Sequence, residues 1–167
     1  MHPEAARLIR ELGLRPHPEG GYFAETYRSE ERVSSGGRRR SAITMAHYLL
    51  AGDEFSAFHR LRSDEVWHHY AGGSVAIDAI YPDGRHQELI VGDGKCWHAA
   101  IPPGVWFAAH LVGPSTYVLI GCDVAPGFEF KDFEVGSRTN LLREFPKLAA
   151  LIERWTRAKD ESTGIFE

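Results

Sequence analysis

His59-Arg-Leu-Arg-Ser-Asp-Glu65, followed seven residues later by Gly72 and about thirty further on by Pro102-Pro-Gly104, has the spacing of a β-barrel active site built from two short motifs. Side chains alternate along a strand, so His59 and Leu61 point the same way. Beyond the intervening loop, Glu65, Trp67 and His69 share one face while Val66, His68 and Tyr70 share the other. With the first set turned inward, an imidazole and a carboxylate meet in the interior, which is costly unless they are paired or used. The bland reading of the same pair is a buried hydrogen bond that only locks two strands together.

The flanking sequence supports a barrel. From Ala42 to about Val124, short runs rich in Val, Ile, Tyr, Phe and Trp alternate with turn clusters such as Ala51-Gly-Asp-Glu54, Gly72-Gly-Ser74, Pro82-Asp-Gly84 and Pro102-Pro-Gly104. Turns at such regular intervals predict an all-β sandwich or barrel. Upstream, Pro3 to Leu12 has helical periodicity with Gly13 as a stop, and Pro16-His-Pro-Glu-Gly-Gly-Tyr22 is a loop feeding a strand over Tyr22–Tyr27. Downstream, Asn140–Pro146 makes a turn or two of helix, and Pro146 starts a second amphipathic segment to Thr156. The expectation is one domain over 1–167, with the barrel at about 20–135 and a helical segment at about 138–158. Lys159–Glu167 has no periodicity and is expected to be disordered.

Composition narrows the function classes. A chain of 167 residues, 43% hydrophobic and 25% charged, suits one compact domain. The net charge of −4 is interspersed, so no basic face invites nucleic acid. The run Arg38-Arg39-Arg40, beside Ser34-Ser35-Gly36-Gly37, is expected in a mobile, solvated loop. The N-terminus has no signal-peptide pattern and no apolar run is long enough for a membrane, so a cytoplasmic location is expected. Cys96 and Cys122 lie at no metal-like spacing and read as small hydrophobes.

These residues resemble the cupins, whose first motif is G-x5-H-x-H-x3,4-E-x6-G and whose second is G-x5-P-x-G-x2-H-x3-N. The chain matches the first at His59, Glu65 and Gly72, and the second at Pro102 and Gly104. Pro16–Tyr22, Tyr27-Arg-Ser29, His59–His68, Pro103–Phe107 and Gly121–Phe128 together resemble the cupin-5 family over nearly the whole chain. The resemblance implies a cupin-type double-stranded β-helix, a jelly-roll barrel with short flanking helices at both termini. It also implies a fold similar to germins and dTDP-sugar 3,5-epimerases. Cupins of this size imply a homodimer through exposed strands, for which an open sheet edge is a physical motive.

Three readings compete for the pocket. In an isomerase-like or epimerase-like enzyme, His59 is the general base or acid set by Glu65, and Tyr22 or Tyr70 is the partner acid. Trp67, Trp106 and Phe107 wall the cavity, while Glu19 at the mouth and a bidentate Arg28 bind an anionic or sugar-like small molecule. In the second reading a divalent metal is held by His59, Glu65 and His69. That set is incomplete by cupin standards, because Leu61 and Phe107 stand where the pattern has histidines. In the third, the barrel binds or senses a ligand without catalysis.

Overall fold

The structure, a computed structural model, describes residues 1–92, 94, 96–113 and 116–158. The Lys159–Glu167 segment, expected to be disordered, lies outside the described residues. In chain order the elements are α1 (Pro3–Glu11), β1 (Arg15–Pro16), β2 (Tyr22–Arg28), β3 (Arg32–Ser35), β4 (Arg38–Ser41), β5 (Thr44–Ala51) and β6 (Phe55–Arg60). There follow β7 (Asp64–Gly72), β8 (Ser74–Ile80), β9 (His86–Val91), β10 (His98–Ile101), β11 (Trp106–Val112), β12 (Tyr117–Ala125) and β13 (Glu134–Val135). The chain closes with α2 (Arg138–Glu144), a 3-10 turn over Pro146–Leu148, and α3 (Ala149–Arg154). Among the described residues no helix is long and apolar enough to cross a membrane.

Two antiparallel sheets face each other, one in the order β1-β2-β5-β12-β7-β10 and the other in the order β13-β6-β11-β8-β9. This is the expected jelly roll, with non-sequential neighbours throughout. Period-two alternation sorts the apolar residues into three layers. Tyr48, Trp67, Ile77, Ile101, Phe107 and Ile120 fill the space between the sheets. Phe58, Ile80, Trp106 and Ala108 point outward from the second sheet, beneath Leu141, Phe145 and Ile152 of the C-terminal helices. On the outside of the first sheet, Leu49 and Leu119 are covered by Ala5, Leu8 and Ile9 of α1. That helix starts where His2 Nδ1 accepts from Glu4 N, and it ends before Gly13 at φ +63°.

One loop expectation needs correction. Ser34 to Arg40 is not a mobile loop but a hairpin, β3 and β4, turned by Gly36 and Gly37 at φ +54° and +72°. Two consecutive left-handed residues give the turn whose twist matches antiparallel strands. The arginines are held too: Arg40 Nε and Nη2 lie 2.6 and 2.9 Å from the Asp132 carboxylate, and Arg38 Nη1 lies 3.0 Å from it. Asp132 is thereby kept below the usual carboxylate range, chiefly by its hydrogen bond from Arg40.

Candidate functional site

A cavity of about 70 Å3 opens between the sheets, lined by residues of the Pro16–Tyr22 loop, β2, β5, the ends of β6 and β7, β12 and the Phe128–Phe133 segment. Its polar lining comprises His17, Glu19, Tyr48, His59, Glu65 and Cys122, with Glu25 and Thr44. His59 and Glu65 thus share a cavity, 2% and 8% exposed. The direct partner of His59 is nevertheless Glu19: His59 Nε2 lies 3.0 Å from Glu19 Oε2, in a pair where Glu19 is 5% exposed.

Local structure explains how these groups meet. The β6–β11 register shifts between Phe107 and Ala109, so that Phe107 pairs with His59 but Ala109 pairs with Ser56. This bulge puts two residues, Ala57 and Phe58, between Ser56 and His59, and both of the latter face inward. Ser56 Oγ lies 3.5 Å from His59 Nδ1. The Glu19 loop docks on the same bulge, because Ala57 N donates to Glu19 O at 2.8 Å. Gly20 makes that approach possible: at φ +114°, a Cβ there would sit 2.1 Å from Phe55 O. Arg157, beyond α3, ties the loop down by donating to both Glu19 O and Phe55 O at 3.2 Å.

The tautomer of His59 follows from its neighbours. Nδ1 lies 2.7 Å from the Ala57 carbonyl, which can only accept, so Nδ1 carries a proton. In the neutral ring Nε2 is then a bare lone pair facing a carboxyl oxygen at 3.0 Å. Two lone pairs at that distance repel unless a proton lies between them. Burial favours the uncharged distribution: it lowers His59 to about 4, with the Ala57 hydrogen bond opposing. It also raises Glu19 well above the carboxylate range, helped by the nearby Glu65 charge. The resting pair is therefore a carboxylic acid facing a neutral imidazole.

Glu65 is in a different position. Burial pushes it up to about 7, with Trp67 and Cys122 as the polar neighbours acting against the shift. Neither donates to it at hydrogen-bond geometry; Trp67 Nε1 is itself buried without a partner. Cys122 is pushed up by its own burial and by the Glu65 and Glu19 charges. His17, brought down to about 3 by burial and then by His59, accepts from Glu19 N at 3.2 Å through Nδ1. It is thereby a neutral wall of the site. Tyr48 donates to Gly20 O at 2.6 Å.

Several expected site residues lie elsewhere. Tyr22 packs with the α1 layer outside the first sheet. Tyr70 is half exposed and covers Gly121, 5.9 Å from the His47 ring. Alternation along β7 already sets Tyr70 opposite Glu65 and Trp67, so its phenol is on the outer face, and the β7–β12 register slip between Leu119 and Ile120 leaves it without a partner on β12. The phenol of the lumen is Tyr48. Phe107 and Trp67 are buried between the sheets and do not line the cavity: the Phe107 ring lies 4.0 Å from that of His59, and Trp67 packs against it at 6.1 Å. Trp106, one residue from Phe107, necessarily points the other way, under the Arg60 guanidinium at 4.3 Å. Glu19 sits deep in the cavity, not at its mouth. Arg28 clamps no cavity anion: it is bound to Glu25 at 2.8 and 2.9 Å, to Glu129 at 3.1 Å and to Phe128 O at 2.9 Å.

The residues do not fit the divalent metal of the cupin pattern. His69 is not in the cavity lining; its Nε2 donates to Gly73 O at 2.9 Å. Leu61 and Phe107 supply no donor atoms, and among the described residues no three His, Cys, Asp or Glu side chains are grouped to hold an ion. The set His59, Glu65 and His69 is therefore not assembled.

The sequence reading missed Glu19 as partner of His59, and also His17, Tyr48, Ser56 and Cys122. The signal was present in the loop motif His17-x-Glu19-Gly-Gly, whose paired glycines mark a close backbone approach.

Two antiparallel sheets in this strand order, with a pocket between the motif strands, define a cupin-type jelly roll. The chain belongs to the cupin superfamily family DUF985, whose model matches residues 6–136. It is 32% identical to the uncharacterised Saccharomyces cerevisiae protein YML079W, covering 75% of this chain and 72% of the yeast protein. A solved structure of a hypothetical protein from Leishmania major is similar, with a TM-score of 0.88 and 31% identity, over 92% of this chain and 99% of that one. A Shewanella oneidensis protein is likewise similar, with a TM-score of 0.85 and 33% identity, over 93% and 98% of the two chains.

Proposed function

We propose that the lumen is a small-molecule site in which Glu19 and His59 form a proton-transfer centre for isomerase-like or epimerase-like chemistry on a small polar metabolite. The supporting observation is the 3.0 Å approach of His59 Nε2 to Glu19 Oε2, with Nδ1 fixed on the Ala57 carbonyl. Moving the shared proton from Oε2 to Nε2 converts the acid into a carboxylate beside an imidazolium. The carboxylate then takes a proton from a carbon next to a carbonyl: the C–H bond breaks, an O–H bond forms on Glu19, and the electron pair moves onto the carbonyl oxygen. For epimerisation the proton returns to the other face once the intermediate has turned in the cavity; for isomerisation it returns to the neighbouring carbon, while the His59 imidazolium gives its proton to the former carbonyl oxygen and takes the one on the adjacent hydroxyl. The imidazolium offsets the intermediate negative charge, and the aromatic walls exclude water.

Exchange of substrate C–H for deuterium tests this. Small hydroxy- and aminocarbonyl compounds incubated in D2O should exchange at the carbon next to the carbonyl with the wild-type protein, followed by NMR. Glu19→Gln should abolish exchange, because the amide cannot accept the proton. If no compound exchanges faster than in buffer, the catalytic reading fails and a binding module is left.

A further inference from the structure

Glu65 is the lumen group that the Glu19–His59 chemistry does not use. The residue is 8% exposed, lines the cavity, and among the described residues accepts no hydrogen bond at good geometry, its polar neighbours being the Trp67 indole and the Cys122 thiol. Glu19, by contrast, has His59 at 3.0 Å. Among the described residues no Lys or Arg lines the cavity, and Arg28, the nearest expected candidate, is taken up by Glu25 and Glu129. Both lumen histidines are held neutral by burial. Among the described residues nothing therefore supplies positive charge to Glu65, and a buried carboxylate without a cation is costly.

The rest of the wall has matching chemistry. Phe23, Phe128 and Phe133 line the same cavity. They are set at steep angles around His17: Phe23 lies at 4.5 Å and 83°, Phe133 at 5.5 Å and 88°, and Phe128 meets Phe133 at 6.0 Å and 61°. Ring faces attract cations through their quadrupoles, most strongly when water is excluded. An anion entering this space would meet the carboxyls of Glu19, Glu25 and Glu65 and these ring faces.

We infer that the lumen ligand carries a small protonated amine, held between the Glu65 carboxylate and the rings of Phe23, Phe128 and Phe133. The inference rests on the proposed small-molecule site and names the substrate class for it: an amine-bearing compound of few heavy atoms, given the cavity of about 70 Å3. Glu65 binds and orients, and Glu19 with His59 moves the proton. Among the described residues the titratable groups acting on Glu65 or acted on by it are Glu19 from the loop and Cys122 from β12. Neither is cationic, so ligand binding itself must stabilise the Glu65 charge.

The test compares ethanolammonium, ethylene glycol and glycolate as probes, titrated against the full chain and followed by chemical-shift perturbation of the lumen residues. Ethanolammonium should bind at least about tenfold more tightly than ethylene glycol near pH 8, and glycolate more weakly than either. Because burial raises Glu65 to about 7, the cation's affinity should fall about tenfold between pH 8 and pH 6. Glu65→Gln should bring the cation and the diol within about twofold of each other. Phe133→Leu should weaken the cation several-fold and leave the diol unchanged. Equal or tighter binding of glycolate, or an undiminished preference for the cation in Glu65→Gln, overturns the inference. Binding is read without turnover, so a lost deuterium exchange with an intact cation preference defeats only the catalytic reading. Exchange without cation preference defeats only this one.

Discussion

Replacing Glu65 by glutamine should make the protein more stable at high pH, by an amount the structure specifies. Burial raises the Glu65 carboxyl from its ordinary 4.5 to about 7. Between those values the native state binds a proton that the unfolded chain has released, so stability falls as pH rises. The stabilising contribution of the protonated form is fully present below about pH 4.5 and is lost by the time pH has passed 7. At about 1.4 kcal/mol per pH unit, the interval is worth about 3 kcal/mol. Glutamine mimics the protonated acid in shape and has no proton to lose. The difference in unfolding free energy, variant minus wild type, should therefore grow by about 3 kcal/mol from pH 4.5 to pH 8. Urea melts of both proteins across that range measure it, and taking the difference cancels most of the other titrations. Glu19 does not cancel completely, because the Glu65 charge contributes to its shift. Removing that charge eases Glu19 ionisation and adds to the same trend. Parallel stability curves would refute the reasoning: Glu65 would then titrate as an ordinary solvated carboxyl, and its burial would carry no electrostatic consequence.

Three further outcomes follow from the packing. Gly20→Ala should cost about 2 kcal/mol or more in urea unfolding, because its φ of +114° and the 2.1 Å approach to Phe55 O leave no room for a Cβ. Phe107→Ala should cost about 3–5 kcal/mol by the same measure, since the ring is buried between the sheets. It should also raise the His59 pKa, read by imidazole NMR, by opening the apolar wall 4.0 Å from that ring. Arg28→Ala should cost less than about 1 kcal/mol, because its ion pairs with Glu25 and Glu129 are partly exposed. Binding of lumen probes should be unchanged in that variant; a loss would return Arg28 to the ligand site.

The barrel was legible because its signals are local. Alternation along β7 turns Glu65 and Trp67 inward together, and the turn clusters divide the strands. The same rule could have separated Trp106 from Phe107, since neighbours on a regular strand cannot face one cavity. Alternation breaks in β6, where the bulge brings Ser56 to the side of His59, whereas Tyr70 stands on the outer face that alternation from Glu65 and Trp67 already assigns it. The partner of His59 was hidden for another reason. Glu19 is forty residues upstream in a loop with no period, and its position depends on two glycine conformations, the Ala57 hydrogen bond and the Arg157 tie from the opposite end of the chain. Composition registers none of those long-range contacts.

Leu61 and Phe107 link the misplaced expectations to the proposed chemistry. With histidines at those positions, His59 would belong to a donor set whose charge is balanced by an ion. With leucine and phenylalanine there, the surroundings of His59 are apolar and burial drives it to about 4. A neutral imidazole whose Nδ1 proton is committed to Ala57 presents Nε2 as an acceptor, and a buried acid is the partner that satisfies it. The apolar substitutions and the Glu19 contact are thus two parts of one arrangement. Loss of ligand imidazoles removes the need for a cation at His59, and the approach of Glu19 replaces it with a proton that can move over 3.0 Å. Glu65, left on the same wall without such a partner, is the place where positive charge from outside the protein completes the site.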